Sequence, residues 1–416
     1  MAYRERVIDV ELRARLARAG AVLIEGPKAC GKTASAGQVC LSEVRLDTDQ
    51  FARQAMDVDP RLVLDGATPR LLDEWQLYPA LWDHVRRAVD DRGSNGQFVL
   101  TGSARPNDDT RRHSGAGRIS RMRMRTMSLW ESGHSSGEVS LGELLSGEEP
   151  RSKIAELDAA AIAELVVRGG WPGQLAADTA AAAASVRDYL ELVADVDISD
   201  VSGVRRDPER VRRLLRSLGR NTGTEASVTA LAKDASGPDG VLTRDTVIDY
   251  LAALTRLMVV EDLPAWSVSL RSSATLRKAP KRHFADPSLA VAALGASPAA
   301  LVRDLELLGF LFESLAVRDL RIYAQAHDAS VWHLRDSYGR EADAVVQLPD
   351  GTWAAFEVKL GPGAVDAGAA SLLRLAQDID EKRSGIPLAL TVLTGWGFAH
   401  RRPDGVNVVP IGTLRP

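Results

Sequence analysis

A glycine-rich run near the N-terminus has the residue types and spacing that hold the phosphates of a nucleotide. It consists of Gly26, Pro27, Lys28, Ala29, Cys30, Gly31, Lys32 and Thr33. Phosphate binding needs glycines that let backbone N–H groups turn inward, a lysine that reaches the β- and γ-phosphates, and a hydroxyl for magnesium. Glycines stand at both ends of this turn, and Lys32 and Thr33 follow the second one. The run therefore predicts a site for ATP and Mg²⁺.

An acidic pair further along the chain could complete a site for ATP hydrolysis. Hydrolysis needs a carboxylate near the magnesium ion and usually a second one that polarises water, both at the end of a neighbouring strand. Asp73 and Glu74 follow the apolar pair Leu71-Leu72. We predict that Asp73 binds Mg²⁺ and that Glu74 is catalytic. A solvated surface pair is the alternative, and the phosphate-binding run upstream favours the catalytic interpretation.

Two more polar residues are candidates for contact with the γ-phosphate. Ser103 follows an apolar run over 98–100, where it could sense the phosphate or simply belong to a turn that ends a strand. Arg118 begins a stretch in which arginines alternate with other residues at a period of two, which is typical of a β-strand. We predict that most of these arginines face solvent and that Arg118 is an arginine finger, acting within the molecule or from a neighbouring one.

A second candidate site lies near the C-terminus. Glu341 and Asp343 lie on one strand candidate, Glu357 and Lys359 lie on the next, and residues 348–351 join the two. The joining residues Leu-Pro-Asp-Gly suit a type I turn followed by a left-handed residue, which makes a three-residue hairpin loop. This loop puts Asp343 opposite Glu357. It also puts Glu341 opposite Lys359, with all four side chains on one side of the sheet.

Two facing carboxylates beside a lysine could hold Mg²⁺ and position water for phosphodiester cleavage. We therefore predict that Asp343 and Glu357 are metal ligands and that they act with Lys359 as the catalytic residues of a nuclease. A Glu-Lys pair on a strand is also commonly just a salt bridge, and that alternative stays open.

The phosphate-binding run must lie between a buried strand and a helix. Residues 21–25 are apolar and bounded by glycines, which predicts the strand, and 8–19 have the spacing of a helix that precedes it. Further strand candidates alternate with helix-compatible stretches, which indicates a parallel α/β sheet. These strands are 43–47, 70–73 and 97–102. We expect a P-loop ATPase domain over 1–130.

The rest of the chain divides into three expected pieces. Residues 131–204 are predicted as a loop up to 150 followed by a helical lid. Thr243 is the N-cap of the third of three helices that predict a winged helix-turn-helix-like segment over 205–265. These helices are 208–220, 227–235 and 243–258. A basic loop follows, with Arg277, Lys278, Lys281 and Arg282. Residues 280–416 are predicted as a small α/β domain with strands near 331–335, 340–348, 352–359 and 388–394.

Composition limits the classes of protein to which the chain can belong. It has 416 residues, of which 45% are hydrophobic, so we expect two to four domains. The net charge is −4, so contact with DNA would depend on a local basic patch. The seven arginines between 205 and 220 are one candidate for such a patch, and a solvated helix face is the alternative interpretation. Two cysteines and the lack of an apolar run of about 20 residues favour the cytoplasm and no membrane partner.

The order of these motifs resembles a bacterial and archaeal family of AAA-type P-loop ATPases with an uncharacterised C-terminal domain. The resemblance rests on Gly-x4-Gly-Lys-Thr, Asp-Glu-x-Gln-x2-Pro at 73–79, Leu-Thr-Gly-Ser at 100–103, Gly-Arg at 117–118 and Arg-Gly-Gly-Trp-Pro at 168–172. It implies nucleotide binding and leaves the cellular role open. Trp75 stands where an aliphatic residue is usual, and Arg70 lies in the strand before Asp73.

The C-terminal segment resembles the restriction-endonuclease-like core, and this resemblance implies a further acid at Glu313. Three functions follow as hypotheses. The first is an ATP-hydrolysing switch, with DNA as one candidate partner. The second is an ATP-regulated, Mg²⁺-dependent nuclease. The third is a non-catalytic, ATP-bound scaffold for a protein or DNA partner. The sequence leaves the oligomeric state open.

Overall fold

The computed structural model describes residues 3–103, 115–155, 157–238, 240–267, 279–335, 340–379 and 384–416. Of the predicted basic loop, Arg277 and Lys278 lie outside these ranges. Within them, no helix combines the length and the apolar character that crossing a lipid bilayer requires.

A parallel five-stranded sheet forms the N-terminal part, as the sequence predicts. The spatial order of its strands is β2-β3-β4-β1-β5. The strands are β1 (Ala21–Glu25), β2 (Ser42–Arg45), β3 (Arg70–Asp73), β4 (Phe98–Gly102) and β5 (Ile119–Arg123). The helices around it are α1 (Ile8–Arg18), α2 (Lys32–Gly37), α3 (Gln50–Val58) and α4 (Leu81–Arg92).

Both faces of this sheet are covered, which explains why its central strands are apolar without alternation. In β1, Leu23 packs in the core on one face, and Val22 and Ile24 pack in the core on the other. Because all five strands are parallel, the carboxyl ends of β1, β3 and β4 lie at one edge. That edge is where α/β sheets bind ligands.

Residues 131–150 are not the loop that the sequence analysis expected. They contain two short helices, α5 (Leu129–Ser132) and α6 (Leu141–Leu145), and the strand β6 (Val139–Ser140). Each helix begins with a capping box, in which a serine and the glutamate three residues later satisfy each other's backbone N–H. Because of these Ser-x-x-Glu patterns, short helices form here, although the high content of Gly and Ser is typical of a loop.

Helices dominate the middle of the chain, and the three predicted ones are confirmed to within about two residues. They are α7 (Ala159–Arg168), α8 (Thr179–Leu192), α9 (Ile198–Ser202), α10 (Pro208–Arg220), α11 (Val228–Asp234) and α12 (Arg244–Arg256). A π-helical turn, Val193–Asp197, separates α8 from α9. Thr243 caps α12 as expected, because its side chain accepts a hydrogen bond from the Thr246 N–H.

The C-terminal part is a six-stranded mixed sheet in the spatial order β11-β12-β10-β9-β8-β7. Its strands are β7 (Ser330–Arg335), β8 (Glu341–Gln347), β9 (Trp353–Lys359), β10 (Leu390–Thr394), β11 (His400–Arg401) and β12 (Asn407–Pro410). The last strand, β13 (Leu414–Arg415), pairs with β6. The helices are α13 (Pro287–Leu294), α14 (Pro298–Arg303), α15 (Leu305–Gln325) and α16 (Val365–Asp378).

The predicted hairpin register between β8 and β9 is confirmed. Gln347 pairs with Trp353 and Ala344 pairs with Phe356. The Leu348 N–H donates to the Thr352 carbonyl oxygen at 2.8 Å, and Gly351 has a φ of +91°. A left-handed residue at the end of a three-residue loop is the geometry that the Pro-Asp-Gly sequence favours.

A buried ionic network joins the three parts of the chain. Asp286 accepts hydrogen bonds from the Thr126 hydroxyl at 2.6 Å and from the Gly170 N–H at 3.0 Å. Arg318 on α15 donates to Asp286 at 3.0 Å and pairs with Asp319 at 2.7 Å. The charged side chains are almost fully buried, so the network fixes the N-terminal sheet to the helices and the tail.

Candidate functional site

The phosphate-binding run adopts the backbone that its glycines permit. A Cβ at Gly26 would lie 2.3 Å from the Met124 carbonyl oxygen, so no other residue fits there without displacing backbone. Gly31 has a φ of +103°, and α2 starts at the next residue. The lysine at that start, Lys32, is buried and donates to the carbonyl oxygens of Gly26 and Pro27, both at 2.9 Å. The loop is therefore wrapped around an ammonium group.

Thr33 and Asp73, the two predicted magnesium ligands, are in contact. The Thr33 hydroxyl lies 3.0 Å from Asp73 Oδ1 and 3.2 Å from Oδ2. The Thr101 hydroxyl on β4 also donates to Asp73 Oδ1. A hydroxyl and a carboxylate are oxygen ligands of the kind that Mg²⁺ prefers, so these two side chains fit a magnesium ion held beside phosphates.

Glu74 lies just beyond β3 in a left-handed backbone conformation, with a φ of +55°. Non-glycine residues rarely adopt this conformation, and strained backbone of this kind clusters at active sites and switch regions. The Glu74 carboxylate accepts hydrogen bonds from Gln76 and, at 3.3 Å, from the Ser103 hydroxyl. The structure thus brings Ser103 and Glu74 together at the edge where the loop lies.

A cleft of about 590 Å³ connects these groups. Its lining includes Lys32, Thr33, Glu74 and Ser103, together with Asp47, which was not among the predicted site residues. A second cavity of about 730 Å³ adjoins it, because Gly31 and Ala34 line both. The lining of the second cavity also includes Tyr3, Arg4, Arg6, Met127, Pro172, Leu175 and Ala176.

Two further residues of the run connect it to neighbouring segments. Lys28 pairs with Asp197, in the π-helical turn after α8, at 2.6 Å. Cys30 is fully buried, and its carbonyl oxygen accepts a hydrogen bond from Arg6 at 2.9 Å. Pro27 and Ala29 contribute backbone to the turn, and Ala29 has a φ of +62°. The loop is therefore held by the N-terminal segment and by the helical region.

Arg118 is not near the phosphate-binding run of its own chain. It precedes β5, and its carbonyl oxygen accepts from the Ala21 N–H at the start of β1, whereas the run begins where β1 ends. Five strand residues separate these positions, roughly 16 Å at 3.3 Å per residue. The Arg118 side chain pairs with Asp90 at 2.7 Å instead. The proposal of a finger acting within the molecule was therefore wrong, and only action from a neighbouring molecule stays open.

The C-terminal cluster converges as its register predicts. The Asp343 carboxylate accepts a hydrogen bond from the Val358 N–H at 2.9 Å, beside Glu357, while Lys359 pairs with Glu357 at 2.7 Å. Glu341 does not join them, because it pairs with Arg335 on β7 at 2.9 Å on the exposed end of the hairpin. The predicted contact between Glu341 and Lys359 is therefore not formed.

A lysine that was not predicted as part of this cluster lies inside it. The Lys281 ammonium bridges Glu313 on α15, at 2.6 Å, and Asp343, at 2.9 Å. Burial by itself would lower the pKa of Lys281, but these two carboxylates raise it above its ordinary value. One signal was available in the sequence: only 8 of the 52 basic residues are lysine, and Lys281 is one of them.

Two glutamates of this cluster have raised pKa values. Burial raises the pKa of Glu313 to about 8, and the neighbouring Asp343 adds to that rise. Burial and Asp343 also raise the pKa of Glu357 to about 7. Among the described residues, no group of three or more His, Cys, Asp or Glu side chains is arranged to hold a metal ion. The cluster as it stands does not fit the predicted metal role of Asp343 and Glu357.

The arginine-rich segment 205–220, which includes α10, has less uncompensated positive charge than its sequence suggests. Acidic side chains of the same chain pair with at least four of the seven arginines: Arg206 with Asp249, Arg210 with Asp207, Arg212 with Glu191, Asp195 and Glu209, and Arg220 with Asp234. Such local pairing reduces the positive field that phosphates would feel.

A parallel sheet, a glycine turn and a Lys-Thr/Asp-Glu set at its carboxyl edge define a P-loop nucleotide-binding fold. Comparison with protein families agrees, because residues 18–132 match the model of an AAA domain. Residues 159–300 match a domain of unknown function (DUF8612), and residues 308–414 match another (DUF4143). The family resemblance is confirmed, because an AAA domain followed by two domains of unknown function is consistent with an AAA-type ATPase that has uncharacterised C-terminal domains.

Similar proteins occur in mycobacteria. The uncharacterized protein Rv2008c of Mycobacterium tuberculosis is 27% identical over 363 residues, which cover 86% of this chain and 74% of the relative. The uncharacterized protein Mb2031c of Mycobacterium bovis matches with the same identity and coverage. Their names assign no activity, so the function of this chain has to be argued from its own residues.

Proposed function

We propose that this protein binds Mg-ATP in the cleft at the carboxyl edge of its parallel sheet and hydrolyses it to drive a conformational switch. The observation that carries this proposal is that two separate segments meet at one cleft: Lys32, Thr33 and Glu74 line it, and Asp73 contacts Thr33. An AAA domain suggests nucleotide-dependent chemistry, and the positions of these four residues supply specific roles for it.

Each side chain has a role that its position supports. Lys32 would exchange its two carbonyl partners for the β- and γ-phosphates, because a charged phosphate oxygen is a stronger acceptor than a neutral carbonyl. Thr33 and Asp73 would hold Mg²⁺, which neutralises phosphate charge. Glu74 would orient the attacking water, with Gln76 and Ser103 fixing its carboxylate.

The adjoining 730 Å³ cavity is the proposed place for the nucleobase. It opens beside Gly31, and aliphatic side chains such as Met127 and Leu175 contribute to its lining. Flat apolar rings bind in such cavities, and the glycine turn would leave the phosphates in the neighbouring cleft. Ala176→Trp should fill the cavity and weaken ADP binding by about tenfold or more, whereas Ala180→Trp, on the exposed side of α8, should not.

Phosphate release by the purified protein tests the enzyme proposal. Lys32→Ala should reduce both ATP binding and turnover, and Lys153→Ala, an exposed lysine outside the cleft, is the matched control. Equal turnover in the wild type and in Lys32→Ala would remove the proposal. Tight ATP retention without turnover would instead favour the third hypothesis, a non-catalytic scaffold.

The contact of Lys28 with Asp197 supports the switch part of the proposal. It ties the phosphate-binding run to the turn between α8 and α9, so phosphates that attract Lys28 would release that turn. We further propose that the moving parts are a helical lid over 131–204 and a winged-helix-like segment over 205–265. DNA, a protein partner and assembly into oligomers stay secondary proposals, with the pairing of the α10 arginines weighing against DNA.

A second candidate function is an ATP-regulated nuclease in the region 280–416. It is favoured by the hairpin register, which brings Asp343, Glu357 and Lys359 together as in the restriction-endonuclease-like core. Supercoiled, linear and branched DNA incubated with Mg²⁺ or Mn²⁺ provides the test. Cleavage by the wild type that Asp343→Ala abolishes would support the nuclease, and the absence of cut product under every condition would count against it.

A further inference from the structure

The acidic cluster of the tail contains a cation supplied by another part of the chain. Lys281 lies on the segment that follows the helical region, where its backbone pairs in both directions with Leu263. The neighbouring Arg282 N–H donates to the Thr224 carbonyl oxygen at 2.8 Å, which fixes the same segment to the loop after α10. The backbone of Lys281 is therefore anchored outside the tail sheet, while its side chain ends within the tail cluster.

The position of the ammonium group is the position that a bridging metal ion would need. Lys281 Nζ lies 2.6 Å from a Glu313 oxygen and 2.9 Å from an Asp343 oxygen. The other Asp343 oxygen accepts the Val358 N–H. A divalent cation between two carboxylates would sit about 2.0–2.6 Å from each, so it cannot share that space with Lys281. Like charges at such a distance also repel strongly.

One carboxylate oxygen in the cluster is buried without a hydrogen-bond partner among the described residues. This oxygen is Oε2 of Glu357, a residue that is only 8% exposed. A buried acceptor of this kind costs free energy unless it is paired. Glu357 also interacts electrostatically with Asp343 and with Lys281, so it faces the same space as they do.

We propose that Lys281 is a built-in lock, which excludes a divalent cation from Glu313, Asp343 and Glu357 until the segment that carries it withdraws. The lock rests on the second candidate function for its biological meaning, but it is defined by metal binding alone. It also couples the tail to the helical region, because the segment that must move is hydrogen-bonded both to Thr224, after α10, and to Leu263, whose neighbours Pro264 and Trp266 pair with His333 of β7.

Metal binding by a lysine variant tests the lock without any activity assay. Mn²⁺ is titrated into the nucleotide-free protein and followed by the loss of the free-ion electron paramagnetic resonance signal. Lys281→Gln keeps a hydrogen-bond donor but removes the charge, so it should bind one additional Mn²⁺ per chain, about a hundredfold or more tighter than the wild type does at this cluster. Adding Glu357→Gln to that variant should abolish the gain.

Lys359→Gln is the matched control, because it removes the other lysine of the cluster, which pairs with Glu357, but leaves Lys281 between Glu313 and Asp343. It should gain no Mn²⁺ site. The proposal is overturned if the wild type already binds Mn²⁺ through Glu357 as tightly as Lys281→Gln does, or if folded Lys281→Gln gains no site. Since neither result depends on DNA cleavage, failure of the lock and failure of the nuclease hypothesis are distinguishable.

Chemical labelling of the wild type provides a second test that no folding defect can affect. Lys281 should resist acetylation compared with the exposed Lys153 and Lys233, and saturating Mn²⁺ should increase its labelling at least severalfold if metal and lysine exclude each other. Mn²⁺ bound at the cluster with Lys281 still protected would overturn the proposal.

Discussion

Asp286 is the residue at which the buried network between the three parts of the chain can be tested most directly. It is completely buried and accepts hydrogen bonds from Thr126, Gly170, Ser288 and Arg318. Asp286→Asn keeps the shape of the side chain and removes its charge. The expected effect is therefore the loss of the ion pair with Arg318 rather than the opening of a cavity.

The size of this effect depends on which interactions Arg318 and the substituted side chain at position 286 retain. Breaking a buried ion pair costs about 3–5 kcal/mol of folding free energy. Arg318 retains Asp319 at 2.7 Å, and asparagine retains one acceptor oxygen, so we expect a loss near the lower limit, about 3 kcal/mol at pH 7.

The loss should depend on pH in a definite direction. Burial alone would raise the pKa of Asp286, but Arg318 and the hydrogen bonds from Thr126, Ser288 and Gly170 outweigh it and hold the pKa below its ordinary value. A carboxyl group with a lowered pKa in the folded state stabilises the fold above its unfolded pKa of about 3.9. That contribution is lost as the pH falls through the folded pKa, so the difference in stability between wild type and variant should begin to shrink below about pH 4.

Urea unfolding followed by tryptophan fluorescence at pH 3, 5 and 7 measures this difference. The control is Asp404→Asn, because Asp404 pairs with Arg402 at 3.0 Å on the surface and should contribute less than about 1 kcal/mol. The reasoning is refuted if both variants lose the same stability at pH 7, or if the Asp286→Asn deficit does not shrink on acidification.

Three further outcomes are expected for nucleotide binding and turnover. Glu74→Gln should retain ATP but release phosphate at least about a hundredfold more slowly, and a rate within a factor of two of the wild type would contradict its role in orienting water. Arg118→Ala should change ATP turnover by less than about twofold at low protein concentration, because the Arg118 side chain pairs with Asp90. A larger loss of turnover that occurs only at high protein concentration would indicate that Arg118 acts on a neighbouring molecule. Asp197→Asn should free Lys28 for phosphate and tighten ADP binding roughly two- to fivefold by calorimetry, whereas Asp195→Asn, whose partner is Arg212, should leave it unchanged.

Features with a local cause could be predicted from the sequence. The β8–β9 register followed from Pro-Asp-Gly between alternating strands, and the cap at Thr243 followed from one residue before an apolar stripe. The capping boxes that begin at Ser128 and Ser140 were equally local. The high content of Gly and Ser around them predicts a loop instead, which is wrong.

Features that depend on the position of one segment against another could not be predicted in this way. The alternating stretch that contains Arg118 indicates a strand, but nothing within it says at which end of the sheet the arginine will lie. That end is set by the parallel pairing of β5 with β1. The cavity beside Gly31 is likewise formed by the N-terminal segment, Met127 and Pro172, which are far apart in the chain.

The sequence by itself determined the chemistry of the two sites: a phosphate-binding turn with its acidic partners, and two carboxylates that face each other across a hairpin. Backbone conformation and short-range pairing decide such features, and both depend on neighbouring residues. Only the tertiary structure decided which charged side chains pair with the residues of these two sites. Lys281 reaches the acidic cluster of the tail from another segment, Asp197 pairs with Lys28, and Arg118 pairs with Asp90, away from the phosphate-binding run. Burial makes these pairings necessary, because a charge removed from water needs a partner, and the partner is whichever residue the packing brings within reach.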